Sequence, residues 1–236
     1  MKKRFVSQFS GYITPKQAAA GIEAALANAR GLYADAELLI EKGRWGRAAA
    51  LSILAIEEVG KVPIIREILL ARNSEELIES WRSYRTHTAK NLIHLWPVFA
   101  AKGARHLEDF RAIYDRSRED PLMLDAIKQL AFYSDACGKC NWSEPEGVID
   151  SNLARSIFSM AELLVNLGPS AFESEPELEI WVKHMKPVWK GPISEMKKAL
   201  VACYAEAQSL GVLKGTSSAS RMMNFLFGDG SPARPI

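Results

Sequence analysis

The sequence predicts an all-α protein. Apolar residues recur at helical spacing along most of the 236 residues, and no segment shows a convincing alternation of apolar and polar residues typical of a strand. Glycine and proline divide the chain into roughly eight helical segments. An apolar content of 48% with 25% charged residues is ordinary for a protein with a buried core.

The first two helices are predicted from their ends. Thr14–Gln17 carries a capping box with a proline at the first helical position, and Gly43 ends the helix that this segment begins. A second helix is predicted over about 45–71. Its apolar residues cover more than one face, which indicates a central, buried helix, and Pro63 is expected to kink it.

The third helix is predicted to begin at the capping residue Asn73 and to continue until Pro97 bends or stops it. A loop is predicted over 134–148, where glycine and proline recur. The other predicted helices cover 107–117, 121–133, 151–167, 176–185 and 193–210.

The chain is predicted to form one domain over residues 1–210. Its core covers about 15–170, and residues 171–210 form a C-terminal helical extension. Residues 211–236 are rich in glycine, serine and proline and are predicted to be a flexible tail. An apolar cluster in this tail is expected to dock on the body of the protein: Met222, Met223, Phe225, Leu226 and Phe227.

The composition of the chain limits the classes of function that the sequence allows. The net charge of +2 is too small for nucleic-acid binding to be a global property, although residues 41–105 carry a local net charge of +4. Three cysteines favour a reducing cytoplasm over a secreted disulfide framework. No apolar run approaches the ~20 residues that cross a bilayer, so no membrane partner is expected.

No metal or cofactor is predicted. Cys137 and Cys140 form a single CxxC motif, and Cys203, the other cysteine, lies within a predicted helix. Because structural zinc takes four ligands, these residues are too few for a zinc site.

The strongest candidate site lies in the third predicted helix. Arg82, His87 and Lys90 lie within nine residues, and a continuous helix places Lys90 between the other two around its axis. An imidazole can exchange a proton with a ribose hydroxyl, and a guanidinium can hold a phosphate. This set suits cleavage of RNA without metal, although such cations on a helix are most often a solvated face.

Other residues of this region are predicted to assist. Arg85, Lys61 and Lys90 supply positive charge for the phosphates of RNA, and Tyr84 is expected to stack on an unpaired base. Trp81 is predicted to lie in the core.

Two acidic residues interrupt the apolar second helix. Glu57 is expected to pair with Lys61 four residues on, and Glu58 to be partly buried beside Arg82 or Lys90. The carboxylates either orient the basic residues of the site or only fix helix packing. Gly60 is expected to allow close approach of two helices.

These residues together resemble a known superfamily. An arginine followed after four residues by a histidine, as in Arg82 and His87, is the signature of HEPN domains. Further segments in the same order resemble the AbiV-type abortive infection branch: residues 44–51, Glu57–Lys61, His87–Lys90, Lys128–Asp135 and Asn141–Pro145. The resemblance covers about residues 20–170.

The resemblance implies a HEPN-like helical bundle, here with additional C-terminal helices. It implies a homodimer with a composite ribonuclease site at the interface, in which Arg82 and His87 are the active pair. It also implies a role in bacterial defence against phage, by cleaving RNA or blocking translation. Ser83 follows the arginine, where the superfamily often has Asn, Asp or His.

A ribonuclease of this kind would harm its own host. We therefore expect its activity to be held back by an inhibitory partner or by low expression, or to depend on a phage-derived trigger. Two other classes stay open from the sequence. One is a non-catalytic helical module that binds RNA or protein in a defence or toxin–antitoxin system. The other is a helical bundle that binds a small ligand or a metal.

Overall fold

The computed structural model describes residues 7–105, 109, 120–137, 141–166, 171–213 and 219–227. These residues form an all-α architecture with one hairpin of two-residue strands, β1 and β2. The α-helices are α1 Pro15–Glu41, α2 Trp45–Val59, α3 Lys61–Leu70, α4 Ser74–Arg85, α5 His87–Asn91, α6 Leu95–Ala101, α7 Asp120–Phe132, α8 Pro145–Val148, α9 Ser151–Val165, α10 Glu175–Met185, α11 Ile193–Ser209 and α12 Ala219–Phe227.

The first helix begins and ends as its sequence predicts. The hydroxyl of Thr14 accepts the backbone N–H of Gln17, whose side chain in turn accepts the N–H of Thr14. Gly43 follows α1 with a φ of 66°, a left-handed conformation that glycine adopts without a steric cost. This turn brings α2 back along α1.

The main hydrophobic core lies around α2. Ile53 and Ile56 of α2 are fully buried and pack with residues of α1, α7 and α9, among them Ile157 and Leu164. Each fully buried side chain of this size stabilises the fold by about 1.5–3 kcal/mol. A helix that is enclosed on several sides is therefore the scaffold on which the site is built, as its apolar pattern predicts.

A second core joins the C-terminal helices to the N-terminal half. Ile22 of α1 and Ile65 of α3 share it with Leu178 of α10 and Cys203 of α11. The additional C-terminal helices therefore pack directly on the helices that precede the site.

The prediction of a helix that continues to residue 71 with a kink at Pro63 is wrong. The helix ends at Val59, Gly60 separates it from α3, and Pro63 lies in the first turn of α3. Proline is tolerated there because the N–H groups of a first turn have no helical partner. A Cβ atom on Gly60 would overlap the carbonyl oxygen of Lys90, so the expected close approach of helices at this glycine is confirmed.

The third helix is also shorter than predicted. It ends at Arg85, because Thr86 is extended, with φ −93° and ψ 123°. The Thr86 hydroxyl donates to the carbonyl oxygen of Arg82, and its backbone N–H donates to that of Ser83. His87 then begins the short helix α5, a 3-10 turn follows at Leu92–His94, and Pro97 lies in the first turn of α6.

The segment between α7 and α9 is not a loop throughout. The predicted loop at 134–148 contains the strands β1 (Ala136–Cys137) and β2 (Asn141–Trp142), antiparallel with Ala136 opposite Trp142, and the short helix α8. The predicted helix at 107–117 lies almost entirely outside the described residues.

Part of the predicted flexible tail is helical. Residues 219–227 form α12, in which Leu226 is buried and Phe225 packs with Leu95 and Trp96. The expected docking on the body is therefore confirmed for Phe225 and Leu226, whereas Met223 and Phe227 of the same cluster are exposed. The prediction of a loose tail is wrong for this segment.

Among the described residues, no helix combines the length and the apolar character needed to cross a membrane.

Candidate functional site

The site is centred on a hydrogen bond between an exposed imidazole and a buried carboxylate. His87 Nδ1 lies 2.6 Å from Oε2 of Glu57, and the two side chains are 51% and 3% exposed. Because a carboxylate only accepts hydrogen bonds, this contact places a proton on Nδ1. In a neutral ring, Nε2 is then unprotonated, with a lone pair that can accept a proton.

Two buried lysines surround the same carboxylate. Lys128 Nζ of α7 donates to Oε1 of Glu57 at 2.5 Å, and Lys90 Nζ of α5 lies 3.6 Å from Oε2. Their side chains are 5% and 8% exposed. Burial lowers the pKa of Lys90, and the nearby charge of Glu57 opposes this shift. Glu57 therefore joins side chains from two other helices, α5 and α7.

Asp125 of α7 completes the charged cluster. Its Oδ1 lies 2.8 Å from Lys128 Nζ, one turn away on the same helix. Donor atoms of Glu57, His87 and Asp125 lie within 4.8 Å of one another, a separation that also suits a metal ion. The Lys128 ammonium, however, already binds both carboxylates, and a metal bound by both would have to displace it. These residues fit a metal-free site better than a metal centre.

The predicted local pairing of Glu57 with Lys61 is wrong. Lys61 Nζ binds the two carboxylate oxygens of Glu58 at 2.6 and 2.7 Å and lies 5.6 Å from the ring centroid of Tyr84. Glu57 is fully buried, and Glu58 is partly buried as predicted. The partner of Glu58 is Lys61, however, and not Arg82 or Lys90.

Arg82 is not among the partners of the Glu57 carboxylate. It is exposed on α4 beside Glu75, Ile78 and Glu79, where these side chains line a shallow groove of about 450 Å³. Among the described residues, no hydrogen bond or ion pair joins its guanidinium to His87 or to another side chain. The prediction that Arg82, His87 and Lys90 lie on one continuous helix is wrong, because α4 ends at Arg85 and α5 begins at His87.

Other side chains that were predicted to contact RNA bind or pack against groups of the same chain. Arg85 donates to the carbonyl oxygen of Phe9 at 2.7 Å and lies over the ring of Trp81 at 5.5 Å. Trp81 and Tyr84 pack in a cluster with α3, and the Trp81 indole N–H donates to Gly11. These side chains hold residues 9–13 against α4. Trp81, which was predicted to lie in the core, is partly buried and packs against the small cluster of Ile68, Ala71 and Leu77.

Lys128 and Asp125 belong to the site although the sequence did not single them out for it. Lys128 shares the buried face of α7 with Leu124 and Ala131, which lie four residues before it and three after it. A lysine on an otherwise apolar face needs a buried acidic partner. That position was a signal for a pair with Glu57.

The fold and the charged cluster define the class of protein as a helical bundle with a histidine site at a helix junction. The family model described as AbiV, a HEPN family, matches residues 17–166, which include the whole cluster. The chain belongs to the AbiV family of the HEPN superfamily, a family of abortive-infection domains. No curated protein and no solved structure matches the chain.

Proposed function

We propose that this protein is a metal-independent endoribonuclease that acts in bacterial abortive-infection defence against phage. The observation that supports the proposal most is the hydrogen bond from Nδ1 of His87 to the buried Glu57. It orients an exposed imidazole and leaves Nε2 for a substrate, which is the arrangement that general acid–base catalysis requires. The resemblance to HEPN nucleases agrees with this assignment.

The chemistry follows from the groups present. As general base, Nε2 of His87 removes the proton from a ribose 2′-hydroxyl, and the oxygen then attacks the adjacent phosphorus. The P–O5′ bond breaks, and a general acid protonates the leaving oxygen. The products are a 2′,3′-cyclic phosphate and a 5′-hydroxyl. A guanidinium that binds the phosphate by two parallel hydrogen bonds stabilises the charge that develops on it.

We assign the guanidinium to Arg82 and infer a composite site in a homodimer. Within one chain, Arg82 is exposed without a bond to His87. In a two-fold dimer, Arg82 of one copy and His87 of the other approach the same phosphate. Lys61 and Tyr84, although they also have partners within the chain, are proposed to contact the RNA.

A nuclease of this kind acts in the cytoplasm on RNA and harms its own host. We therefore propose that an inhibitory partner or a phage-derived trigger controls it. Induced expression in bacteria is expected to be toxic and to degrade RNA, whereas His87→Ala is expected to be harmless. His184→Ala is the matched control, because His184 also binds a carboxylate, Glu206, but lies on α10. If the wild-type dimer is harmless and leaves RNA intact, the proposal fails.

The composite site has its own test. Arg82→Ala and His87→Ala are each expected to be inactive, and mixing the two proteins with exchange of subunits should restore activity. About a quarter of the wild-type activity is expected, because half of the dimers then hold one intact site of two. If the mixture stays inactive although subunits exchange, both residues act within one chain.

A second candidate is a non-catalytic module that binds RNA or protein. One observation favours protein binding: over residues 122–133, which cover most of α7 and the residue after it, the charged side chains, Asp125 and Lys128, both join the internal cluster. The outer side of this segment therefore carries no charged side chain, and it exposes Leu122, Met123 and Tyr133. Binding that survives His87→Ala but is lost in Tyr133→Glu, with no cleavage of RNA by the wild type, would support this alternative.

A further inference from the structure

The two oxygen atoms of the Glu57 carboxylate have different partners. Oε2 holds the ring of His87, and Oε1 holds the ammonium group of Lys128. We propose that Lys128 is a positioning residue: it fixes Glu57 and offsets its charge, so that the carboxylate orients the His87 ring without trapping a proton on it. This inference rests on the proposed function and assigns a role to α7 in the same site.

The negative and positive charges of the cluster around Glu57 balance. Glu57 and Asp125 supply two negative charges, and Lys90 and Lys128 supply two positive charges. The neighbouring Glu58 and Lys61 bind each other and add no net charge. A buried carboxylate without such compensation strongly favours the protonated form of an adjacent imidazole. Imidazolium has no free nitrogen lone pair and cannot act as a general base.

The geometry makes Lys128 the residue that supplies this compensation. Its ammonium lies 2.5 Å from Glu57 Oε1, whereas that of Lys90 lies 3.6 Å from Oε2, beyond hydrogen-bonding distance. Asp125, one turn earlier on α7, holds the Lys128 ammonium from its other side. Lys128 therefore cannot turn to solvent without breaking two ion pairs. Because Lys128 fixes Glu57, and Glu57 binds His87, the orientation of the His87 imidazole on α5 depends on the position of α7.

A second lysine–glutamate–histidine triad in the chain is a control for the triad of Lys128, Glu57 and His87. Glu206 of α11 binds His184 at 2.7 Å and Lys183 at 2.8 Å, so it also forms a lysine–glutamate–histidine triad. This triad lies nearer to the surface, with Lys183 64% exposed. Water and salt screen its charges, so loss of its lysine should affect its histidine far less.

The experiment is an NMR pH titration of the imidazole ¹⁵N resonances in the full-length protein. In Lys128→Met, the uncompensated Glu57 should raise the titration midpoint of His87. In Asp125→Asn, the better compensated Glu57 should lower that midpoint. Lys128→Arg should restore the wild-type midpoint and the Nδ1–H tautomer. Lys183→Met should shift the midpoint of His184 far less than Lys128→Met shifts that of His87.

The two shifts in opposite directions separate positioning from a structural role. If Lys128→Met is folded by circular dichroism and the His87 midpoint and tautomer stay as in the wild type, the inference is overturned. If Lys128→Met does not fold, Lys128→Gln takes its place: a raised midpoint supports the inference, and an unchanged midpoint overturns it. Because the titration uses no RNA, absence of cleavage by the wild type would reject the nuclease proposal without affecting this result.

Discussion

His87 and Glu57 lie 30 residues apart in the chain and meet at 2.6 Å, where a surface imidazole is anchored to a carboxylate inside the core. The bond joins the first residue of α5 to the most enclosed helix of the bundle, α2. The catalytic geometry proposed for this protein therefore depends on the same packing that stabilises its fold.

Glu57→Gln is expected to destabilise the protein as well as to abolish cleavage. The substitution leaves the charges of Lys128 and Lys90 without their shared carboxylate in a buried position. Loss of one partner from a buried ion pair costs about 3–5 kcal/mol. Urea unfolding measures this loss. Glu206→Gln, in the exposed triad, should change the free energy of unfolding much less, and equal losses would argue against the importance of the internal cluster.

Gly60→Ala should disrupt the packing of α5 against the junction of α2 and α3. The added Cβ atom overlaps the Lys90 carbonyl oxygen, so the backbone of α5 has to move, with an expected loss of about 1–3 kcal/mol. Gly31→Ala is the control, because a Cβ atom there meets nothing within 4 Å in the middle of α1. It should raise the free energy of unfolding by about 0.5–1 kcal/mol. A stabilising effect at Gly60 would contradict the described contact.

The protein is expected to lose stability at alkaline pH because the Cys203 thiol is buried. Burial, with a contribution from Glu206, raises the pKa of its thiol from 9.0 to about 12. Between these values the unfolded chain releases a proton that the folded protein keeps, so the free energy of unfolding falls as the pH rises. From pH 8 to pH 10, under reducing conditions, the wild type should lose about 1 kcal/mol more than Cys203→Ala. Equal losses would show that the thiol titrates normally.

Leu226→Ala should release α12 from the body of the protein. Leu226 is buried, and its neighbour Phe225 packs against Trp96 of α6. Limited proteolysis should cut the C-terminal segment faster in this variant, while Met223→Ala, at an exposed position of the same helix, should behave as the wild type. If both variants are cut at the rate of the wild type, Leu226 does not hold the helix in place.

Local signals in the sequence were sufficient for most helices but not for the site. The capping box at Thr14 and the glycine at position 43 act on neighbouring residues, so both ends of α1 were predictable. The break at Thr86 was not, because threonine is compatible with a helix and its extended conformation depends on the docking of α5 against α2.

The pairing of charges was harder to predict because it is not local. Sequence spacing favoured Glu57 with Lys61, yet Glu57 binds Lys128, 71 residues away. Which acid of the pair Glu57 and Glu58 is buried depends on how α2 is rotated in the bundle, and that rotation is set by all of its neighbours. Sequence reasoning named Glu57, His87 and Lys90 of the cluster but not Lys128 or Asp125, and the pairing among these residues required the structure.

The central claim is that the His87 imidazole, held by Glu57, cleaves RNA without metal. Its most direct test is incubation of end-labelled RNA with purified protein in excess EDTA, followed by analysis of the new termini. The account predicts 2′,3′-cyclic phosphate ends and a loss of rate of about 10²-fold or more in His87→Ala. Cleavage that disappears in EDTA, or that persists in His87→Ala, would contradict it.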